Sequence, residues 1–206
     1  MKFYTIKTPS IVQRIFSSYT WRFSSISKEV YLTFDDGPTP EITDFVLEQL
    51  EKFNAKATFF CIGKNVKCHH DTYEQILKGG HSVGNHTFNH LNGYKTKNTN
   101  YIENTNQASA HIHSQLFRPP YGKLKSSQGK ELRKQGYKII MWDVLSGDFD
   151  TSITPEKCLK NVLENTTNGS IIVMHDSIKA KEKIFYALPR ILEYFTKKGI
   201  EFKAIA

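Results

Sequence analysis

From residue 29 to its end, the chain alternates short β-rich runs with helical apolar patterns. Runs at 29–34, 57–62, 81–83, 116–118, 137–142, 170–174 and 200–205 read as strands, and Gly63 reads as the stop of the second. Between them lie helical patterns. The first has Thr39 as N-cap and Pro40 at its first position, and shows one face of Ile42, Phe45, Val46, Leu50 and Phe53. Others span 71–78, 98–114 and 127–135, and one follows Thr154-Pro155 with Leu159, Val162 and Leu163 on one face. The last carries Leu188, Ile191, Leu192 and Phe195, and Pro189 inside that pattern marks a helix start or a kink. About seven strand–helix units in a row predict an α/β domain with a mostly parallel sheet and helices outside. An open doubly wound sheet and a closed barrel both satisfy the pattern. Both put chemistry at the carboxyl ends of the strands.

The chain has 206 residues, enough for one domain with a full core, which is assigned to 28–206. Residues 1–27 form an N-terminal extension. In it Ile11, Val12, Ile15, Phe16 and Tyr19 fall at helical spacing, so it packs on the domain or lies on a membrane surface. Packing on the domain is the ordinary use of such a stripe. No stretch approaches 18 consecutive apolar residues, so no stable membrane span is expected. No cleavable signal is visible, which makes a cytoplasmic or membrane-associated location the default and a cell-envelope role the alternative. Cys61, Cys68 and Cys158 have no CxxC spacing and read as ordinary thiols. The formal net charge is +8, but the lysines are scattered rather than striped, so nucleic acid is not expected as a partner. Nothing in the sequence fixes an oligomeric state.

Ionisable residues follow the predicted strands directly: Asp35-Asp36-Gly37, then His86 and His90, then Arg118, then Asp143 and Asp148, then His175-Asp176. Two histidines four apart would share one side of a helical turn. With a carboxylate they would make a three-ligand site for zinc or a similar divalent ion, with positions left open for chemistry. Successive strand side chains point opposite ways, so Asp35 and Asp36 suit different tasks. One can hold an ion while the other accepts a proton. Arg118, stiffened by Pro119-Pro120, would pair with a buried carboxylate. Tyr121-Gly122 offers backbone N–H groups to a developing oxyanion. His175, at the mouth of an apolar strand, would be tuned by Asp148 or Asp176.

Five motifs occur in order: Thr33-Phe34-Asp35-Asp36-Gly37, His86-Thr87-Phe88-Asn89-His90, Arg118-Pro119-Pro120-Tyr121-Gly122, Trp142-Asp143 running to Asp148, and Val173-Met174-His175-Asp176. In these the chain resembles the polysaccharide deacetylases of carbohydrate esterase family 4, the domain shared with nodulation chitooligosaccharide deacetylases. The resemblance covers 29–206. It implies a distorted (β/α)7 barrel with the active site at the carboxyl ends of the strands. It also implies one divalent metal ion, usually zinc, with cobalt, manganese or nickel as alternatives, held by Asp36, His86 and His90. Asp35 would be the general base, with Arg118 holding it. The Tyr121 N–H would face the oxyanion. His175 would be the general acid, oriented by Asp148. Leu145 to Phe149 and Val173-Met174, with Phe149 and Met174 foremost, would line the acetyl pocket. The implied substrate is an acetylated glycan such as peptidoglycan or chitooligosaccharide, which would lose N-acetyl groups from GlcNAc-type residues. An O-acetyl xylan esterase or a non-catalytic glycan-binding module are the alternatives. The family's fourth motif commonly ends in Asp-Trp; Phe149 stands there in this chain, which bears on substrate identity more than on proton transfer.

Overall fold

The computed structural model describes residues 4–206; residues 1–3, the start of the extension, lie outside them. The elements are α1 (Ser10–Ile15), β1 (Glu29–Asp35), α2 (Ile42–Lys52), β2 (Thr58–Cys61), α3 (Gly63–Cys68), α4 (His70–Lys78), β3 (Ser82–Asn85) and α5 (Asn98–Ser109). They continue with β4 (Leu116–Phe117), α6 (Ser126–Lys134), β5 (Lys138–Ile139), β6 (Val144–Leu145), α7 (Pro155–Asn165), β7 (Ile171–His175), α8 (Lys181–Lys197) and β8 (Glu201–Phe202). The sheet runs β5-β4-β3-β2-β1-β7-β6 with every neighbouring pair parallel, and β8 joins the start of β1. This is the distorted seven-stranded α/β barrel expected, left open between β5 and β6.

The extension spans that opening. Thr20 pairs with Ile140, just past β5, and Lys7 pairs antiparallel with Val144 of β6. The bonds are Met141 N to Thr20 O (2.7 Å), Leu145 N to Ile6 O (2.8 Å) and Thr8 N to Asp143 O (2.8 Å). Lys7 Nζ adds an ion pair to the buried Asp143 at 2.8 Å. The extension therefore packs on its domain, and of the predicted stripe it is Tyr19, beyond α1, that meets a core cluster. Ile11 and Ile15 of α1 are 59% and 67% exposed, and the contacts come from the segments on either side.

Strand alternation sorts the core into layers. Val30, Leu32 and Phe34 of β1 join Ile172 and Met174 of β7 in the cluster that also takes in Ile42, Val46 and Leu50 of α2 and Ile184, Leu188 and Leu192 of α8. The intervening residues Thr33, Asp35, Val173 and His175 point to the other face, toward the barrel interior. Phe60, Leu116, Ile140, Ile171 and Ile205 fill that interior. Met174 therefore lies in the helix-facing core with no exposure, which removes it from the expected pocket lining.

Several boundaries differ from the sequence reading. α2 starts at Ile42, not at Pro40; Asp44 Oδ2 accepts from the Glu41 N–H at 3.2 Å, and Thr39 accepts with its carbonyl instead. Gly63 begins a helix rather than ending a strand. Thr154 is the N-cap expected, accepting from Lys157 N at 3.2 Å. Pro189 sits inside α8, which starts eight residues earlier, at Lys181.

Candidate active site

Asp35 is the last residue of β1 and is buried. Arg118, fully buried just past β4, donates from Nη1 to Asp35 Oδ1 and to Thr33 Oγ1, both at 2.7 Å. Its Nε and Nη2 donate to the carbonyls of Ile140 (3.2 Å) and Met141 (3.0 Å), and the guanidinium lies over the Phe60 ring at 4.0 Å. Burial lowers the Arg118 pKa while Asp35 opposes the shift. A buried guanidinium that donates from each of its nitrogens holds its partner carboxylate in a fixed position.

Asp36 follows in the left-handed region (φ 81°), a turn at the end of β1 that leaves both carboxylates close enough to act on His86 and His175. Asp36 Oδ1, His86 and His90 bring their ligand atoms within 4.8 Å of one another. The Nε2 atoms of His90 and His86 lie 3.1 and 3.7 Å from Asp36 Oδ1, yet that buried oxygen has no aligned hydrogen-bond donor among the described residues. Burial alone would raise the Asp36 pKa; the contact with His90 and the charges of His175, His86 and His90 hold it well below the usual carboxylate range. Burial pushes His86 down to about 4, so the ring is neutral and ready to ligate. His86 Nδ1 faces the Arg118 carbonyl at 2.8 Å, which leaves Nε2 for the cluster. An unpartnered buried oxygen beside two imidazoles is a donor set of the kind a divalent cation completes.

The histidines do not meet on a helical turn. The segment from His86 to His90 is a bend, with Thr87 (φ 62°) and His90 (φ 55°) left-handed. Residues the sequence reading passed over hold it. Asn85 Oδ1 accepts from Thr87 N (2.8 Å), and Asn104 Oδ1 accepts from Phe88 N and Asn89 N (3.0 Å each). The first N–H groups of α3 donate to the carbonyls of Thr87 and Phe88, and Asn65 Nδ2 donates to the Asp36 carbonyl at 2.7 Å. The helix that the Gly63 reading hid thus fixes both parts of the cluster. The asparagines carried only a weak signal, since Asn is common in turns.

Asp148 is buried and holds His175 twice, through Nδ1 to Oδ1 and through the His175 N–H to Oδ2, both 2.7 Å. Burial disfavours the imidazolium, but the charge and hydrogen bond of Asp148, with Asp36 and Asp35 behind, raise its pKa to about 10. The ring is thus protonated at neutral pH, with Nε2 left to donate. Asp176 takes no part in this. Its Oδ1 accepts from Gly37 N (3.0 Å) and its Oδ2 from Thr43 Oγ1 (2.6 Å). Burial raises its pKa to about 8 against the Thr43 bond, with the Asp36 charge adding to the rise. Asp176 braces the loop after β1; a Cβ on Gly37 would sit 1.9 Å from Asp176 Oδ2. Asp143 is likewise structural, paired with Lys7, Ser170 Oγ and Ile171 N.

Tyr121 (φ 61°) sits on the rim, 60% exposed, its ring 4.5 Å from that of His90. Phe149 is half-buried and meets His175 edge-on at 5.3 Å. Leu145, the last residue of β6, and Val173, in the middle of β7, are buried.

A parallel barrel thus brings to one rim a donor set that suits a divalent cation and, beside it, two carboxylate-paired groups that can move protons. The polysaccharide deacetylase family model matches residues 24–140, and the chain belongs to that family. It is 31% identical over 194 residues to a peptidoglycan-N-acetylglucosamine deacetylase of Bacillus cereus, covering 91% of each chain. It is 33% identical over 168 residues to a chitooligosaccharide deacetylase of Azorhizobium caulinodans, covering 78% of this chain and 80% of that one. A crystal structure of a peptidoglycan N-acetylglucosamine deacetylase, in complex with a naphthalenyl N-oxidanyl-benzamide, superposes with a TM-score of 0.85 at 30% identity, over 96% of this chain and 95% of that one.

Proposed function

We propose that the protein removes N-acetyl groups from GlcNAc-type residues of a glycan, peptidoglycan or chitooligosaccharide, with a divalent cation, zinc by preference, held by Asp36, His86 and His90. The observation that carries this is the convergence of those three ligands beside Asp35, which Arg118 holds in place by an ion pair. The cation, when bound, supplies Lewis acidity that polarises the acetamide carbonyl and acidifies water. Asp35 accepts a proton from the attacking water as it adds to the acetyl carbon. The Tyr121 N–H donates to the oxyanion that develops. His175 then gives its Nε2 proton to the departing nitrogen, and Asp148 stabilises the ring while it is charged. Acetate and a free amine leave.

The state of His175 favours amide over ester. An amine leaves only once protonated, and a ring held protonated up to about pH 10 supplies that proton. A binding module would need neither the Asp35–Arg118 pair nor the Asp148–His175 pair. The test is acetate release from chitooligosaccharides and peptidoglycan, with metal analysis of the same sample. Asp35→Asn should lower the rate by about 10³-fold with the metal retained. Full activity in that variant would refute the base assignment, and metal-loaded protein that releases no acetate from any glycan would refute the enzymatic reading.

A further inference from the structure

The N-terminal extension reaches the rim of the barrel. Ile6 and Thr8 pair antiparallel with β6, so the chain read backward from Thr8 runs the way β6 runs. This delivers Tyr4 to the loop that follows β6, the loop that carries Asp148 and Phe149. The Tyr4 ring lies 5.2 Å from that of Phe149, and Phe149 in turn meets His175. The Tyr4 hydroxyl donates to Asp150 Oδ2 at 2.9 Å. Asp150 closes the loop on itself: its N–H donates to the Gly147 carbonyl (2.9 Å), and its Oδ1 accepts from Ser152 N (3.0 Å) and Ser152 Oγ (2.8 Å). Gly147 leaves room for the hydroxyl; a Cβ there would stand 3.1 Å from it.

We infer that Tyr4 is a positioning residue for the general acid: it holds the loop of Asp148 through Asp150 and backs Phe149 against His175. This rests on the deacetylase reading of the rim. Tyr4 touches no reacting atom. Its ring supports the aromatic wall beside the proton donor, and its hydroxyl pins the loop that orients the donor's partner. Small displacements of a proton donor cost large factors in rate.

The experiment compares Tyr4→Ala and Tyr4→Phe with the wild type in full-length, metal-loaded protein. It has two readouts: steady-state acetate release from chitooligosaccharide, and the NMR resonance of the His175 Nδ1 proton shared with Asp148, assigned with His175→Gln. Tyr4→Ala should lower kcat about 10-fold with KM within about 2-fold, and should shift or broaden the resonance. Tyr4→Phe, which keeps the ring on Phe149 but removes the bond to Asp150, should lower kcat by about 3-fold and move the resonance less than Tyr4→Ala does. Tyr4→Leu takes the place of Tyr4→Ala if the alanine variant does not fold. An unmoved kcat or an unmoved resonance in the truncated variant overturns the inference, as does a loss confined to KM. Should the wild type release no acetate, the deacetylase reading fails while the resonance alone still decides the role of Tyr4.

Discussion

The two sides of the rim are built in opposite ways. On one side Asp148 and His175 are joined by two 2.7 Å contacts, and Arg118 and Asp35 by another, so every charge has a partner within the chain. On the other side Asp36, His86 and His90 stand on left-handed turns, with one carboxylate oxygen buried and unpartnered among the described residues. The saturated side needs nothing further to hold its geometry. The unsaturated side is held from behind, by Asn65, Asn85, Asn104, the Arg118 carbonyl and the start of α3, and it concentrates negative charge where a cation fits. On the proposed reading, groups that would move protons are fixed in advance, and groups that would hold an ion are left short of one.

Breaking the saturated side should cost most. Arg118→Met leaves Asp35 buried without its counter-charge, and a loss of about 3–5 kcal/mol is expected in denaturant unfolding, together with loss of acetate release. A variant as stable as the wild type would mean that the pair is not what holds Asp35. The unsaturated side should respond to metal instead. Chelation should abolish activity and lower Tm, and adding zinc at about 100-fold over its Kd should restore about 2.7 kcal/mol. His86→Ala should remove most of that gain, and metal-independent stability in the wild type would contradict the contrast.

A pH titration sharpens the comparison further. The folded pKa of His175, about 10, lies above its ordinary value of 6.5. The stabilisation it contributes is therefore complete below pH 6.5 and lost as pH rises through 10. Tm should fall across that window in the wild type, and the fall should flatten in Asp148→Asn. The alkaline limb of kcat/KM should move to lower pH in the same variant, because the donor then loses its proton earlier. An alkaline limb that stays put would assign it to another group. The smallest effect is expected at Tyr121→Asn. Asn tolerates the left-handed backbone, and the N–H there is the active part, so kcat should change by about 3-fold at most.

The alternation of strand and helix, and the polar residues at strand ends, were legible because both are local and periodic. Periodicity failed where elements were too short to show it. β6 is two residues long, and α3 opens on a glycine that reads as a stop. The histidine spacing pointed to two rings that do come together, but by another route: a bend with two left-handed residues, not a helical turn, brings them to 5.1 Å. Arg118 was readable because a guanidinium before two prolines has few uses. Met174 was misplaced by one residue of strand alternation. The contact of Tyr4 with Asp150 spans 146 positions, and no local pattern announces a partner so distant.

The way the extension spans the opening bears on where this fold can be cut. The family match begins at residue 24, but the polypeptide that mends the sheet lies before it. A fragment started at that match would bare the edges of β5 and β6, strip Asp143 of Lys7, and offer unpaired backbone to any neighbouring chain. A cut placed by the family match alone would therefore remove part of the sheet itself.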